Sequence, residues 1–374
     1  MNILKRAFVI IFAVFLNVGW TFADEVVDGS VGGSLYRLVR PTNWNGHLVL
    51  YAHGFVPGGE PVTLPPEGSL LTSVVVPQGF AVAYSSFSEN GWAVKDGAER
   101  THQLLGIFSA RFGRPVRVYL TGVSMGGLIA IKLSETYPRI YSGALPIGAV
   151  AGGSRRQFDY EANVWTLFNF LYPGVLPGNA AHVPEGIDVT QAVVLPAMAA
   201  MQADPTGALA MTQIDQIPIP FTTPEELVES ILTALAYYAM EFTDLNNRTH
   251  RQGFFDNSET QYTGALPPEQ LQAINGGLQR FAASPSALAY LEHFYNPSGA
   301  LRIPMLTLAT SRDPVVPGFH QMSYRDTVTA AGASEFLAQR EIERYGHLTF
   351  TPEELAQAFN DLVLWVEFGV KPTP

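Results

Sequence analysis

Three residue types in this chain could together move an acyl group. They are a serine in Gly122-Val123-Ser124-Met125-Gly126, an aspartate at 313 and a histidine at 347. A serine hydroxyl is a weak nucleophile at neutral pH. It needs a base to take its proton, and the base needs a carboxylate to orient it. Residues 116–120 read as a buried strand and residues 127–134 as a helix. Strand, G-x-S-x-G and helix together predict a turn that presents Ser124 at the top of a sheet. So tight a turn forces the serine into a strained backbone conformation, and the flanking glycines remove side chains that would collide there.

The base and its partner are sought in loops at the carboxyl ends of later strands, because the crevice of an open parallel sheet lies there. Residues 303–310 read as a short buried strand. Asp313 follows in Ser311-Arg312-Asp313-Pro314, a proline-stiffened turn. Residues 335–343 read as the next strand, and His347 follows in Arg344-Tyr345-Gly346-His347-Leu348. The chain order Ser…Asp…His selects His347 over the seven other histidines.

Acyl transfer also requires fixed N–H donors for the oxyanion of the tetrahedral intermediate. The N–H of Met125, next after the nucleophile, is one candidate. The other is the N–H of Phe55, at the end of the apolar run 47–52 that closes in His53-Gly54. His53 reads chiefly as a brace for that loop. His53, Trp92 and Trp165 are the candidate substrate contacts, Trp92 as a pocket wall or as a staple for the next helix. Further cap aromatics such as Phe158, Tyr160, Tyr237 and Phe242 read mostly as the cap's own core.

The elements that must position these groups alternate. Residues 47–52, 79–85, 115–121 and 142–150 read as strands, and 95–112 and 126–137 as helices. This alternation predicts an α/β fold, a mostly parallel central sheet flanked by helices. From 151 to 300 strands cease and Pro/Gly-rich pieces separate helices, of which 224–242, 267–282 and 286–294 are the clearest. Alternation resumes with the strands at 303–310 and 335–343 and helices at 318–330 and 352–368. The expected organisation is a core of residues 24–150 and 301–374 interrupted by a helical cap at 151–300.

Residues 1–23 carry Lys5 and Arg6, an apolar run and a small-residue end at Thr21-Phe22-Ala23. They predict a signal peptide cleaved after Ala23 and a secreted or periplasmic protein. Its removal takes two basic groups and no acidic one from a chain of net charge −11. Such acidity opposes binding to nucleic acid, and no stable membrane insertion is expected after cleavage. The absence of cysteine excludes disulfides and thiolate metal sites. No phosphate loop, dinucleotide fingerprint or metal-ligand spacing appears, so no cofactor is expected.

Taken together, Gly122–Gly126, Asp313, His347 and His53-Gly54 on an alternating chain resemble the α/β-hydrolase superfamily, over residues 33–150 and 301–370. The exported, capped layout resembles bacterial esterases, including the feruloyl-esterase and tannase-like branches, although tannase-like members often carry cysteines. The resemblance implies a serine esterase acting on a small-molecule or polymer-derived ester through an acyl-enzyme. A serine nucleophile argues against dehalogenases and epoxide hydrolases, whose covalent intermediate needs a carboxylate. A serine peptidase or aminopeptidase, a cofactor-free perhydrolase and a non-catalytic binding protein on the same fold stay open.

Overall fold

The computed structural model describes residues 24–373, so the expected signal peptide lies outside the described residues. Two strands open the chain, β1 (Glu25–Val31) and β2 (Ser34–Arg40), paired antiparallel. Gly32 and Gly33 join them at φ 56° and 84°. Two successive positive φ values are what a two-residue hairpin turn requires. This hairpin is absent from the sequence reading. Asp28, Gly29 and Ser30 weaken the strand signal in β1, and the Gly-Gly turn was the available clue.

Next come β3 (His47–Ala52), α1 (Glu67–Val75), β4 (Ala81–Ser85), α2 (Val94–Phe112), β5 (Arg117–Val123), α3 (Met125–Thr136) and β6 (Gly143–Ile147). Six helices follow before another strand. They are α4 (Ser154–Leu171), α5 (Leu195–Ala203), α6 (Thr206–Met211), α7 (Pro224–Arg248), α8 (Pro268–Gly277) and α9 (Pro285–Tyr295). The chain closes with β7 (Met305–Arg312), α10 (Phe319–Ala330), β8 (Leu337–Tyr345) and α11 (Pro352–Phe368).

All eight strands form one sheet in the order β1-β2-β4-β3-β5-β6-β7-β8. From β4 through β8 every neighbour is parallel. The inner strands are buried on both faces, and their alternation sorts side chains between two apolar layers. Along β3, Leu48 and Leu50 pack into the layer beneath α2 and α3. Val49 and Tyr51 pack into the opposite layer with Tyr119, Phe359 and Leu362, where α11 lies.

Several boundaries differ from expectation. Val116 is 78% exposed, and β5 starts at Arg117. The strand after the insertion starts at Met305, two residues later than expected, and includes Ser311 and Arg312. The final helix matches its expected limits. Thr351 Oγ1 accepts the Glu354 N–H, Glu354 returns to the Thr351 N–H, and Pro352 opens the first turn. The caps satisfy N–H groups that a helix start leaves orphaned, and the proline has no N–H to satisfy. Thr223 Oγ1 likewise accepts the Glu226 N–H and Pro224 opens α7, while Glu226 returns to Thr222 instead, and this helix runs six residues past the expected end at Phe242, to Arg248.

Candidate active site

β5 and α3 meet at Ser124, which has φ 55° and ψ −123°. A residue with a side chain reaches this conformation only at a cost of about 1–3 kcal/mol, so its surroundings must hold it. They do so mainly by close approach. A Cβ on Gly122 would collide with the Gly126 backbone, and one on Gly126 with the carbonyl oxygens of Ala52 and His53. The Ser124 N–H donates to the Ile147 carbonyl (2.9 Å), which ties the elbow to β6.

Asp313 and His347 are held differently. The β7–β8 ladder slips register between Thr310 and Arg312. Such a bulge re-aims the chain at a strand end. Asp313 follows, 1% exposed. Its Oδ1 accepts the N–H groups of Val315 and Val316, both at 2.9 Å, and its Oδ2 lies 2.7 Å from His347 Nδ1. A carboxylate only accepts, so Nδ1 carries the proton and Nε2 of the neutral ring is left as the acceptor. The histidine loop is pinned to the aspartate strand. Gly346 N–H donates to the Arg312 carbonyl (3.0 Å), and the Gly346 carbonyl accepts from Thr310 Oγ1 (2.7 Å).

The two halves approach one another at Gly148. A Cβ at that position would stand 3.4 Å from His347 Cε1, and Gly148 directly follows Ile147, the partner of the Ser124 N–H. Among the described residues, Ser124 Oγ has no hydrogen-bond partner. The serine–imidazole bond is therefore not made here. Such bonds commonly tighten only with substrate bound.

Met125 opens α3 directly after Ser124, and Phe55 follows Gly54 in the loop after β3. Gly54 packs so closely that a Cβ there would lie 3.3 Å from that of Ser124. Among the described residues, neither the Phe55 nor the Met125 N–H has an acceptor. His53 is 2% exposed, sits 2.7 Å from the Gly54 carbonyl through Nδ1, and stacks on Phe87 at 3.8 Å. Burial holds its pKa below the usual imidazole value, so the ring is neutral.

Trp92 is 2% exposed. Its Nε1–H donates to Ser154 Oγ (2.7 Å), and its backbone N–H donates to Asp244 (2.6 Å). It thus fastens the loop after β4 to α4 and α7, with its ring against Phe55 and Phe158. Trp165 is wholly buried against Tyr238 between the same helices. Phe158, Tyr160 and Phe242 are buried, whereas Tyr237 keeps partial exposure beside Phe55.

Sequence reasoning missed a polar chain behind the Asp313 loop. Gln157 Nε2 donates to Glu161 Oε1 (2.6 Å) and to the Val315 carbonyl (2.8 Å). Its Oε1 accepts from His320 Nε2 (2.7 Å), while His320 Nδ1 accepts the Gly152 N–H (3.0 Å). Burial drives the His320 pKa down to about 3, which suits this neutral tautomer. No local motif marks these residues, because their spacing has meaning only after α4 and α10 pack around the loop. Two clefts on the helical segment, about 520 Å³ beside Tyr262 and about 270 Å³ beside Phe255, contain none of Ser124, Asp313 and His347 in their walls.

No family model matches the sequence, and no curated protein matches it. Solved structures do match. Feruloyl esterase B from Aspergillus oryzae aligns over 95% of this chain and 82% of its own, with 13% identity and a TM-score of 0.57. The chain has the α/β-hydrolase fold. An esterase from Pyrococcus furiosus (10% identity, TM-score 0.46) covers 93% of this chain and 95% of its own. Brefeldin A esterase, a bacterial homologue of human hormone-sensitive lipase (13% identity, TM-score 0.44), covers 95% and 78%. In this chain the six helices α4–α9 lie between β6 and β7. Among the described residues, no helix is long and apolar enough to cross a membrane.

Proposed function

We propose that the protein is a serine hydrolase of carboxylic esters, with Ser124 as nucleophile, His347 as base and Asp313 as the group that orients it. The observation that carries this reading is the Asp313–His347 bond, set against Gly148 beside the strained backbone of Ser124. A buried carboxylate that spends one oxygen on two backbone donors and the other on an imidazole is arranged to hold one tautomer and to stabilise the imidazolium.

His347 Nε2 takes the Ser124 proton as Oγ attacks the ester carbonyl. The new C–O bond places negative charge on the former carbonyl oxygen, which the free N–H groups of Phe55 and Met125 stabilise. The imidazolium then protonates the departing alkoxide, and the C–O bond to the alcohol breaks. Water, deprotonated by the same nitrogen, attacks the acyl-enzyme and releases the acid and Ser124.

The helices between β6 and β7 act as the cap in this reading, and residues 1–23 act as an export signal. Anchors from α7 support the cap role. Arg312 pairs with Glu226, and Tyr345 Oη lies 3.2 Å from Ser230 Oγ, so the insertion is tied to both strands that carry the acid and base loops.

A fluorophosphonate probe should label Ser124 stoichiometrically, and Ser124→Ala should lose both the label and ester turnover. Ester turnover that survives Ser124→Ala refutes the assignment. Absence of labelling in the wild type favours a non-catalytic binding protein.

A further inference from the structure

Between α4 and α7 lie polar atoms that the proposed reaction does not use. Glu161 and Glu241 are each 1% exposed, and Oε2 of each lacks a hydrogen-bond partner among the described residues. Tyr160 Oη and Trp165 Nε1 are buried and unpartnered as well. Helical spacing places Glu161 and Trp165 on one face of α4, and Tyr237, Tyr238 and Glu241 on one side of α7. The Trp165–Tyr238 ring contact at 5.7 Å shows that these faces meet. Burial raises the Tyr237 pKa, the Glu241, Asp313 and Glu161 carboxyl groups add to the rise, and the Tyr237 ring lies 6.4 Å from that of Phe55. The cluster therefore borders the catalytic strand ends.

Buried polar atoms without partners are rare, because each forfeits water without compensation. Here four occur together, in a segment that otherwise satisfies its polar groups through bonds such as Tyr262–Asn163 and Gln157–Glu161.

We propose that Glu161, Glu241, Tyr160 and Trp165 form a subsite that binds hydroxyl groups of the ester substrate. The donor inventory selects this chemistry. The indole N–H can only donate, so it needs an acceptor, and an ammonium group offers none. The carboxyl groups need a partner that donates or accepts. A hydroxyl does both, and the aromatic walls accept its carbon skeleton. The inference rests on the ester-hydrolase reading and names its substrate class, an ester with a hydroxylated acyl or alcohol part.

The test compares kcat/KM for 2,3-dihydroxypropyl butyrate against propyl butyrate, and for ethyl 3-hydroxybutyrate against ethyl butyrate. The first pair probes the alcohol side and the second the acyl side. The wild type should favour the hydroxylated member of one pair by tenfold or more. Glu241→Leu should cut that ratio about tenfold, through KM, whereas Glu241→Gln, which keeps hydrogen-bonding capacity, should restore most of it. Glu161→Leu and Trp165→Phe supply independent variants should Glu241→Leu fail to fold. The proposal is overturned by equal turnover of both members in both pairs. It is also overturned by variants that slow both members equally, or by a preference for butyrylcholine lost in the same variants. Failure of fluorophosphonate to label Ser124 would instead overturn the ester-hydrolase reading beneath it.

Discussion

The two halves of the site are held by different physics. Around Ser124 the geometry is enforced by what is missing. Gly122 and Gly126 let backbones approach where any Cβ would collide, and the serine adopts a positive φ as a result. Around Asp313 and His347 the geometry is enforced by what is present. Backbone donors fix the carboxylate, and a carbonyl pair pins the histidine loop to β7. A steric constraint admits no substitute, whereas a hydrogen-bonded one can be altered at one atom with the shape kept. Damage to the elbow should therefore cost folding, and damage to the loops should cost chemistry.

The largest expected effect removes the reacting atom itself. Ser124→Ala should lower kcat by about 10⁶-fold, since removal of such a nucleophile costs about that much where it has been measured. Its circular dichroism should match the wild type, because alanine leaves the backbone of the elbow as it is.

Asp313→Asn sharpens the contrast next. The asparagine carbonyl can still accept from Val315 and Val316, but its NH₂ faces Nδ1 and favours the tautomer with the proton on Nε2. A loss of about 10⁴-fold in kcat is expected with little change in Tm. A Tm collapse with activity retained per folded molecule would break the comparison.

Gly126→Ala tests the steric half. The added methyl meets the carbonyl oxygens of Ala52 and His53. A loss of about 3 kcal/mol, the upper end for overpacking in a tight site, should appear in denaturant unfolding. Wild-type stability in this variant would show that the elbow is more compliant than its contacts imply.

Ser124→Gly addresses the strain directly. Glycine has no Cβ to penalise at φ 55°, so relief of about 1–3 kcal/mol should outweigh the roughly 0.5–1 kcal/mol entropic cost of glycine. A modest rise in Tm is expected in a protein without activity.

A further contrast concerns pH. Burial raises Glu161 to about 8, whereas an unfolded glutamate titrates near 4.5. Between these values the folded state holds a proton that the unfolded state has released. Stability from this group is thus complete below about pH 4.5 and is lost as pH rises toward 8. His320 acts in the opposite sense. Its folded value of about 3 lies below the ordinary 6.5, so its share of stability is lost as pH falls from 6.5 toward 3. Glu161→Gln should flatten the alkaline side of a Tm-against-pH curve and leave the acid side unchanged.

The elbow was legible because all its determinants are local. Ser124, its glycines, the apolar run before it and the helix after it fall within about twenty residues, and each obeys a rule of sequence spacing. The parallel core was legible from its alternation for the same reason. Asp313 and His347 could be nominated by chain order and by their place after strands, but the bond between them is 34 residues long in sequence and exists only because β7 and β8 pair. The β1–β2 hairpin escaped because its strands are weak β-formers whose pairing and docking on β4 supply the stability. Gln157, Glu161, Glu241 and His320 were illegible in principle. Their meaning lies in burial and in partners, or the lack of them, contributed by helices far apart in the chain.

The linear order of residues by itself determined the turn at Ser124, the α/β alternation and the helical character of the segment between β6 and β7, since backbone sterics and side-chain periodicity act over a few residues. Only tertiary packing decided which histidine meets which carboxylate and which polar atoms are shut away from water. Those outcomes depend on distances between strands and helices that no local rule encodes.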